Sequence, residues 1–327
     1  MSTATTSSGP SGTAGASLRP LPDPKDPRQK TGWRLVLWRM RRNWTAYLFL
    51  SPGLILFSIF TVFALGFSFY LTFHEWNIIE PDKPFVGLQN YRDMIDDESF
   101  RRSVINTVYF TSASVPLTML VGLSIALLLN RPIRARGLFR TLYFLPVVTP
   151  FVVVSIIWKW LYNSQYGLFN YYLLKAHLID EPLGWLSDQN LAMPAVILMS
   201  VWSGVGFSMV VYLAGLQSVP AELYEAADVD GASAFSKLRY ITVPLLRPTT
   251  LFLLVIGVIG SFQIFTQIFV MTSGGPVERT TTMVYYIYQS AFKFYQMGYA
   301  STLAWALTVM LLGFTILQVR LYRQADA

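Results

Sequence analysis

Six long apolar stretches constrain the fold of this chain more than any other feature of its sequence. None of them holds a charged residue or a histidine, and they cover residues 46–73, 107–129, 141–157, 192–217, 250–272 and 299–319. A helix needs about 20 mostly apolar residues to cross a hydrocarbon layer roughly 30 Å thick. We therefore predict an all-α integral membrane protein with six transmembrane helices, the third being the shortest.

The composition agrees with a membrane protein. Of the 327 residues, 53% are hydrophobic and only 13% are charged, whereas about a quarter of the residues of a soluble domain are charged. Cysteine is absent, which excludes disulfides, thiolate catalysis and cysteine-ligated metal. The opening segment is too polar for a signal peptide or a packed core. We predict a disordered basic tail over residues 1–45, a transmembrane domain over 46–323 and a short C-terminal end over 324–327.

The distribution of lysine and arginine predicts how the stretches are oriented. With the N-terminus inside, the inner segments hold 17 of the 25 Lys and Arg residues, and the outer segments hold 11 of the 18 acidic residues. Cytoplasmic loops of membrane proteins carry an excess of Lys and Arg. An even number of crossings then leaves both termini in the cytoplasm. The net charge of +7 therefore reflects membrane orientation, and we expect no nucleic-acid partner.

A polar segment, EAADVDGASAFSKLRYITVP at residues 225–244, lies between the fourth and fifth apolar stretches. The whole loop is longer than a connection between adjacent spans requires. Pro220 suits the first turn of a helix, Gly231 suits its end, and Ser233 can cap a second helix. We predict a helix–glycine–helix hairpin over residues 218–244 on the cytoplasmic face. The simplest alternative is a helical loop without a partner.

The same segment matches a known signature. Its residues are Glu225, Ala226, Ala227, Asp230, Gly231, Ala232, Ile241 and Pro244. With this spacing the segment resembles the EAA signature of bacterial ABC-importer permeases. Leu238 stands where that family commonly has Phe, which keeps an apolar side chain. The first, fifth and sixth apolar stretches are also similar to those of carbohydrate-uptake permeases, within them to the first permease subunit of the maltose and glycerol-phosphate type.

The resemblance implies a type I ABC-importer permease fold in the bacterial inner membrane. It also implies three kinds of partner: a second, related permease, two cytoplasmic ABC ATPase subunits and an extracellular solute-binding protein. The ATPase subunits would bind ATP and Mg, so this chain would need no cofactor and no catalytic residue of its own. The substrate would be a sugar or a related polyol or oligosaccharide.

In that family the hairpin couples the membrane domain to the ATPase, which holds it in a cleft. The resemblance gives this role to Leu223, Glu225, Ala226, Ala227, Asp230, Gly231, Ala232, Leu238, Ile241 and Pro244. The apolar members would supply packing surface, while Glu225 and Asp230 would bond to the ATPase or brace the turn. For Asp230 a purely local role in the turn is an open alternative.

The maltose-type pattern, carried over position by position, implies a substrate cavity between the fourth and fifth stretches. Its lining would be Ser200, Ser203, Gly204, Phe207, Gly257, Gly260, Ser261, Gln263 and Ile264. The first four recur at three- and four-residue steps and so share one helical face. Phe207 could stack on a sugar ring while the serines form hydrogen bonds. Several positions are smaller or more apolar than in the maltose type, and helix packing is an alternative role for the Ser and Gly residues.

Two further features are expected outside the predicted spans. Aromatic residues form a group that is typical of a membrane-interface belt: Trp158, Trp160, Tyr162, Tyr171 and Tyr172. The histidines, His74 and His177, stand alone in outer loops, so we expect no metal site.

Other classes of protein are weighed against the same residues. Proton-coupled carriers need ionisable residues inside their spans, and the apolar stretches have none. A sodium-coupled transporter or channel without an ATPase partner stays open, because broken helices can bind sodium. No phosphate-binding P-loop, zinc-protease or serine-hydrolase motif occurs, so no enzyme is predicted. A simple membrane anchor would not require spans that contain Gly and Pro.

Overall fold

A computed structural model describes residues 43–325, and within that range the chain is helical with no regular strand. Its β pairings there are two isolated bridges, His74–Phe85 and Asn77–Gln296. The predicted tail therefore lies outside the described residues, apart from positions 43–45, and so do positions 326 and 327.

The chain divides into two compact units after Ala64. In the first, the described residues form helix α1 (Trp44–Phe57) and a π-helical turn (Ser58–Phe63). Its apolar side chains are exposed, Phe49 to 86% and Phe60 to 73%. A helix that is apolar all round needs lipid or another chain against it.

The second unit begins within helix α2 and contains the remaining helices. These are α2 (Ala64–Leu71), α3 (Gln89–Asp96), α4 (Glu98–Asn130), α5 (Arg136–Val148), α6 (Phe151–Leu161), α7 (Leu168–Lys175), α8 (Ala192–Gln217), α9 (Ala221–Val229), α10 (Ala234–Lys237), α11 (Val243–Leu245), α12 (Arg247–Phe262), α13 (Thr266–Met271), α14 (Met283–Tyr288) and α15 (Met297–Ala325). π-Helical turns follow α10 (Leu238–Thr242) and α14 (Gln289–Lys293).

Helix α8 is the centre of the second unit and packs against α4, α5 and α12. Glycines allow these helices to approach closely, as in other membrane helix pairs. A Cβ on Gly206 would lie 2.1 Å from the carbonyl oxygen of Tyr143, and one on Gly122 would lie 2.5 Å from Ser208 Oγ. The interior is therefore held by close backbone contact as well as by apolar side chains.

The apolar stretches form helices, but two of them differ from the predicted spans. Four helices are long and apolar enough to cross a membrane, and six crossings result if each of two bent helix pairs counts as one. These pairs are Arg136–Val148 with Phe151–Leu161, and Ala234–Leu245 with Arg247–Phe262, the latter bent by 64°. The third predicted span is two helices, α5 and α6, bent by 98°. Pro150 explains the break, because proline disfavours helical backbone at the preceding residue, and Thr149 is extended with φ −82° and ψ 130°.

The fifth predicted span, residues 250–272, is wrong as a single helix. Helix α12 ends at Phe262, and α13 begins at Thr266. Thr282 Oγ1 donates a hydrogen bond of 3.2 Å to the carbonyl oxygen of Ile264, within this break. A buried hydroxyl on the following loop thus stabilises a non-helical segment, and apolar composition alone cannot reveal such a contact.

The predicted aromatic belt is only partly exposed. Trp158 and Tyr162 are 8% and 2% exposed and belong to an apolar core cluster. The Tyr162 hydroxyl donates to the carbonyl oxygen of Ala195 at 3.0 Å. Trp160, Tyr171 and Tyr172 are exposed, as an interface belt requires. The prediction is therefore wrong for Trp158 and Tyr162, whose rings fill the space beside α8.

Candidate functional site: a central cavity and a helical hairpin

A cavity of about 450 Å³ lies among α4, α8, α12 and the break after Phe262. All nine residues predicted to line a substrate cavity face it: Ser200, Ser203, Gly204, Phe207, Gly257, Gly260, Ser261, Gln263 and Ile264. The positions come from separate helices and a non-helical break, yet the fold brings them to one space.

The cavity lining combines apolar surface with hydroxyl and amide groups. Among the residues described, its lining includes no Asp, Glu, Lys, Arg or His. Ser200 and Ser261 donate to the carbonyl oxygens of Val196 and Gly257 at 2.8 and 2.7 Å. Each hydroxyl can still accept a hydrogen bond. An uncharged, hydroxyl-rich ligand fits such a surface better than an ion, whose burial without a counter-charge is costly.

Two serines of the lining were not predicted from the sequence. Ser114 on α4 and Ser208 on α8 are 5% and 2% exposed, and neither hydroxyl has a hydrogen-bond partner within the described part of the chain. A buried hydroxyl without a partner costs roughly 1–3 kcal/mol. These hydroxyls lie at the packed contact behind the cavity wall, so a ligand would reach them only if the helices shift. The sequence does mark both positions, because each is a small polar residue within an apolar stretch.

The second site is the hairpin between α8 and α12, and its predicted helix–glycine–helix form is confirmed. Pro220 was predicted to lie in the first turn of a helix, and it is the residue immediately before α9. Ser233 caps α10 as predicted, because its Oγ accepts a hydrogen bond of 3.2 Å from Ser236 N. Gly231 has φ +73°, the left-handed conformation that a glycine adopts without strain.

Hydrogen bonds at the end of α9 explain why glycine is needed there. The amide of Gly231 donates to the carbonyl oxygen of Asp228 at 3.1 Å, and that of Ala232 donates to Ala227 at 2.9 Å. These two bonds form a Schellman motif, which ends a helix with a left-handed residue. Asp230 occupies the last position before this residue and is exposed. The sharp turn is thus encoded locally.

Side-chain contacts hold the two arms of the hairpin together. Lys237 Nζ lies 2.5 Å from Asp228 Oδ1. The Tyr224 hydroxyl lies 2.9 Å from Thr242 Oγ1, and Thr242 is 4% exposed. Leu246, 1% exposed, packs with the α4–α8 core and fixes the hairpin to the helices. The hairpin is therefore a braced element attached to the core at its base.

Several apolar side chains of the hairpin are unusually exposed, among charged residues that are also exposed. Val229, Phe235 and Tyr240 are exposed to 89%, 69% and 72%, and Leu223 to 43%. Glu225 and Ala226 are also exposed, whereas Ala227, Ala232, Leu238, Ile241 and Pro244 are intermediate. Val229, the most exposed of these apolar residues, was not assigned a role from the sequence. An exposed apolar patch on a rigid element is typical of a protein-interaction surface.

Asp97, the residue immediately before α4, joins three segments of the second unit. Its carboxylate accepts from Ser99 N at 2.8 Å, from the Tyr299 hydroxyl at 2.5 Å and from the Tyr286 hydroxyl. Partial burial raises the pKa of this carboxyl, but the hydrogen bonds from Tyr286, Tyr299 and the backbone outweigh it, so the pKa lies below its usual range. Asp97 is thus an ionised fastening point between α4, α14 and α15.

The described residues contain no group of three or more His, Cys, Asp or Glu that could hold a metal ion. His74 is 7% exposed, and its Nδ1 lies 3.0 Å from the carbonyl oxygen of Tyr70. This histidine therefore occupies a packed position in the part of the chain that the structure describes.

Apolar helices around an internal cavity, joined to an exposed helical hairpin, define a membrane transport component. The chain belongs to the family of binding-protein-dependent transport system inner membrane components, whose model matches residues 115–327. It is accordingly a permease subunit of ABC-importer type, and its family role is transport rather than catalysis.

Individual relatives agree with this assignment over nearly their full length. A probable ABC transporter permease of Pyrococcus horikoshii is 37% identical, with 81% of this chain and 91% of the relative covered. The trehalose/maltose transport system permease protein MalF of Thermococcus litoralis is 35% identical over 85% of this chain and 93% of the relative. A crystal structure of a bacterial ABC transporter that imports alginate has a chain with a TM-score of 0.76 at 24% identity, covering 88% of this chain and 99% of that chain. This last likeness concerns the fold.

Proposed function

We propose that this permease carries a sugar, or a related polyol or oligosaccharide, across the bacterial inner membrane through the central cavity. The observation that carries the proposal is the lining of that cavity: hydroxyl and amide groups beside an aromatic ring, with no charged side chain among the described residues. Sugars are recognised by hydrogen bonds combined with flat apolar surface. The trehalose/maltose system of the Thermococcus relative supports the same class of substrate.

Transport is driven from the hairpin. In this proposal the chain crosses the membrane six times with both termini in the cytoplasm, so α9 and α10 lie on the cytoplasmic face. The excess of Lys and Arg in the segments assigned to that face supports this orientation. One of two ATPase subunits, which bind ATP and Mg, grips the exposed apolar surface around Val229 and Phe235, and the other grips the hairpin of the second permease. Glu225 faces solvent and supplies a charged contact to the ATPase. Closure of the ATPases on ATP then moves the hairpins and reorients the cavity.

Two further partners complete the transporter. A second, related permease encloses the translocation path, and an extracellular solute-binding protein delivers the substrate. The family description names a binding-protein-dependent system, which supports the latter partner.

The proposal is tested in proteoliposomes that contain the assembled complex. Glu225→Lys and Gly231→Pro should each abolish ATP-driven uptake of a sugar that the binding protein holds, while the chain still inserts and assembles. Glu181→Lys, the same charge reversal at an exposed outer position, should leave uptake unchanged. Uptake that survives both hairpin changes would refute ATPase coupling through this element.

One structural feature favours a second candidate, a sodium-coupled transporter. The apolar segment of α12 and α13 is not helical between Phe262 and Thr266, beside the cavity. In some carriers such helix breaks bind sodium. This candidate predicts uptake by the chain without an ATPase, dependent on a sodium gradient. Replacing sodium with potassium in ATP-free and ATP-loaded vesicles distinguishes the two functions.

A further inference from the structure

Two arginines at the beginning of α5 contact the end of α8. With the Gln217 amide turned so that its oxygen faces them, Oε1 accepts from Arg136 Nη2 at 3.0 Å and from Arg140 Nη2 at 3.2 Å. Arg136 and Arg140 are four residues apart and therefore lie on the same face of α5. Both guanidinium groups are thus held at one place by a single neutral acceptor.

The charge at this place is not neutralised within the described part of the chain. Arg131, Arg134, Arg136 and Arg140 fall within ten residues, and no carboxylate there lies within 4.0 Å of any of them. The Nε atoms of Arg136 and Arg140 are buried and have no hydrogen-bond acceptor. A guanidinium presents five donors in a fork that matches the oxygens of a phosphate. The site therefore presents more hydrogen-bond donors than the described residues accept.

An apolar groove of about 380 Å³ begins at Arg140 and follows one face of α5. It is lined by Arg140, Thr141, Phe144, Leu145, Val148 and Val210. Arg140, Phe144 and Val148 are spaced four residues apart, so the groove extends along roughly 12 Å of helix at 1.5 Å per residue. Leu145 and Val148 are 57% and 64% exposed. The groove is therefore an open surface with positive charge at one end.

We propose that this groove binds a membrane phospholipid with an anionic headgroup, its phosphate on Arg136 and Arg140 and one acyl chain along Phe144, Leu145 and Val148. The groove is positively charged at one end and apolar along the rest of its length, so it complements an amphiphile whose charge lies at one end. An acidic protein segment would satisfy the arginines but would leave the groove unfilled. Basic pockets between helices on the cytoplasmic side of membrane proteins bind anionic headgroups in this way.

The test uses the purified full-length chain and the assembled transporter in nanodiscs, with tightly bound lipid counted by native mass spectrometry. The probes are phosphatidylglycerol and phosphatidylcholine with identical acyl chains. The wild type should retain phosphatidylglycerol in preference to phosphatidylcholine in both preparations. Arg136→Gln/Arg140→Gln should bind phosphatidylglycerol roughly thirtyfold more weakly, since each basic residue near the membrane surface contributes about fivefold. Arg92→Gln/Arg101→Gln, which removes the same charge from the predicted outer surface, should bind like the wild type.

Further variants separate the headgroup from the acyl chain. The Arg140→Lys variant should keep most of the preference for phosphatidylglycerol, because it keeps the positive charge. It is also the control for misfolding of the double arginine variant. The Leu145→Asp variant should retain less lipid although both arginines are intact, because the substitution places a charge in the apolar part of the groove. Inorganic phosphate at millimolar concentration should not displace the lipid.

Four results would overturn the proposal. They are equal retention of both lipids, unchanged binding by the double arginine variant, displacement by free phosphate, and loss of the lipid when the chain assembles with its partners. The last result would indicate that a partner protein occupies the groove.

Discussion

At the scale of single residues, Gly206 shows how closely the helices of the second unit pack. A Cβ at this position would lie 2.1 Å from the carbonyl oxygen of Tyr143 and 2.9 Å from Val147 Cγ2. Gly206→Ala should therefore force α5 and α8 apart and destabilise the fold by about 1–3 kcal/mol. The midpoint of thermal unfolding in detergent measures this. Gly313→Ala, with nothing within 4 Å of the new methyl group, is the matched control and should not lower the midpoint.

Asp97 predicts how stability depends on pH. Its pKa is depressed in the folded protein, so its contribution is complete above the ordinary value of 3.8 and is lost as the pH falls through the lower folded-state value. The difference in unfolding midpoint between wild type and Asp97→Asn should stay constant at neutral pH and shrink below about pH 4. Asp96→Asn, the same substitution at an exposed neighbour, is the control for the loss of one carboxylate. A difference that grows towards acid would contradict a depressed pKa at Asp97.

The residues of the cavity wall were predicted from the resemblance to maltose-type permeases. Ser200, Ser203, Gly204 and Phe207 also share a face because of their three- and four-residue steps, and the structure places them on one cavity. Ser114 and Ser208 escaped prediction because the lack of a hydrogen-bond partner depends on packing between α4 and α8. Whether these residues touch a substrate is still a prediction.

At the scale of elements, the brace within the hairpin can be tested separately from its surface. Tyr224→Phe removes the hydroxyl that bonds Thr242 and leaves the ring in place. A hydrogen bond of this kind contributes about 1 kcal/mol, so the equilibrium constant between the braced and the opened hairpin should fall roughly fivefold. We expect uptake per ATP hydrolysed to fall in proteoliposomes, by no more than that factor. Tyr240→Phe, at a side chain 72% exposed, tests the same chemical change without the brace and should have a smaller effect.

Element boundaries were predictable only where a local signal marks them. Gly231 and Ser233 ended and began helices as expected, because a left-handed turn and a serine cap are encoded within a few residues. The break after Phe262 has no comparable signal. It is held by the hydroxyl of Thr282, a contact between residues far apart in sequence. Hydropathy therefore found the apolar segments but not where they bend.

At the scale of the whole molecule, the cavity should be reached from opposite sides of the membrane in turn. The chain has no cysteine, so Ser200→Cys introduces a single reactive thiol at a partly exposed position of the cavity wall. In proteoliposomes of the complex, a membrane-impermeant maleimide should label it from the cytoplasmic side without nucleotide and from the outside in an ATP-trapped state. Ser187→Cys, in a predicted outer segment, should be labelled from outside in both states. Labelling of Ser200→Cys from one side only would contradict alternating access.

The right-angled corner at Pro150 has a consequence for the surrounding lipid. Helices α5 and α6 have 13 and 11 residues and are bent by 98°, so their far ends are about 24 Å apart at 1.5 Å of rise per residue. That reach is shorter than a typical hydrocarbon layer, and hydrophobic mismatch of this size is relieved by local compression of the lipid. The lipid should consequently be thinned only beside this corner, because α4 and α8, with 33 and 26 residues, are long enough for an ordinary layer.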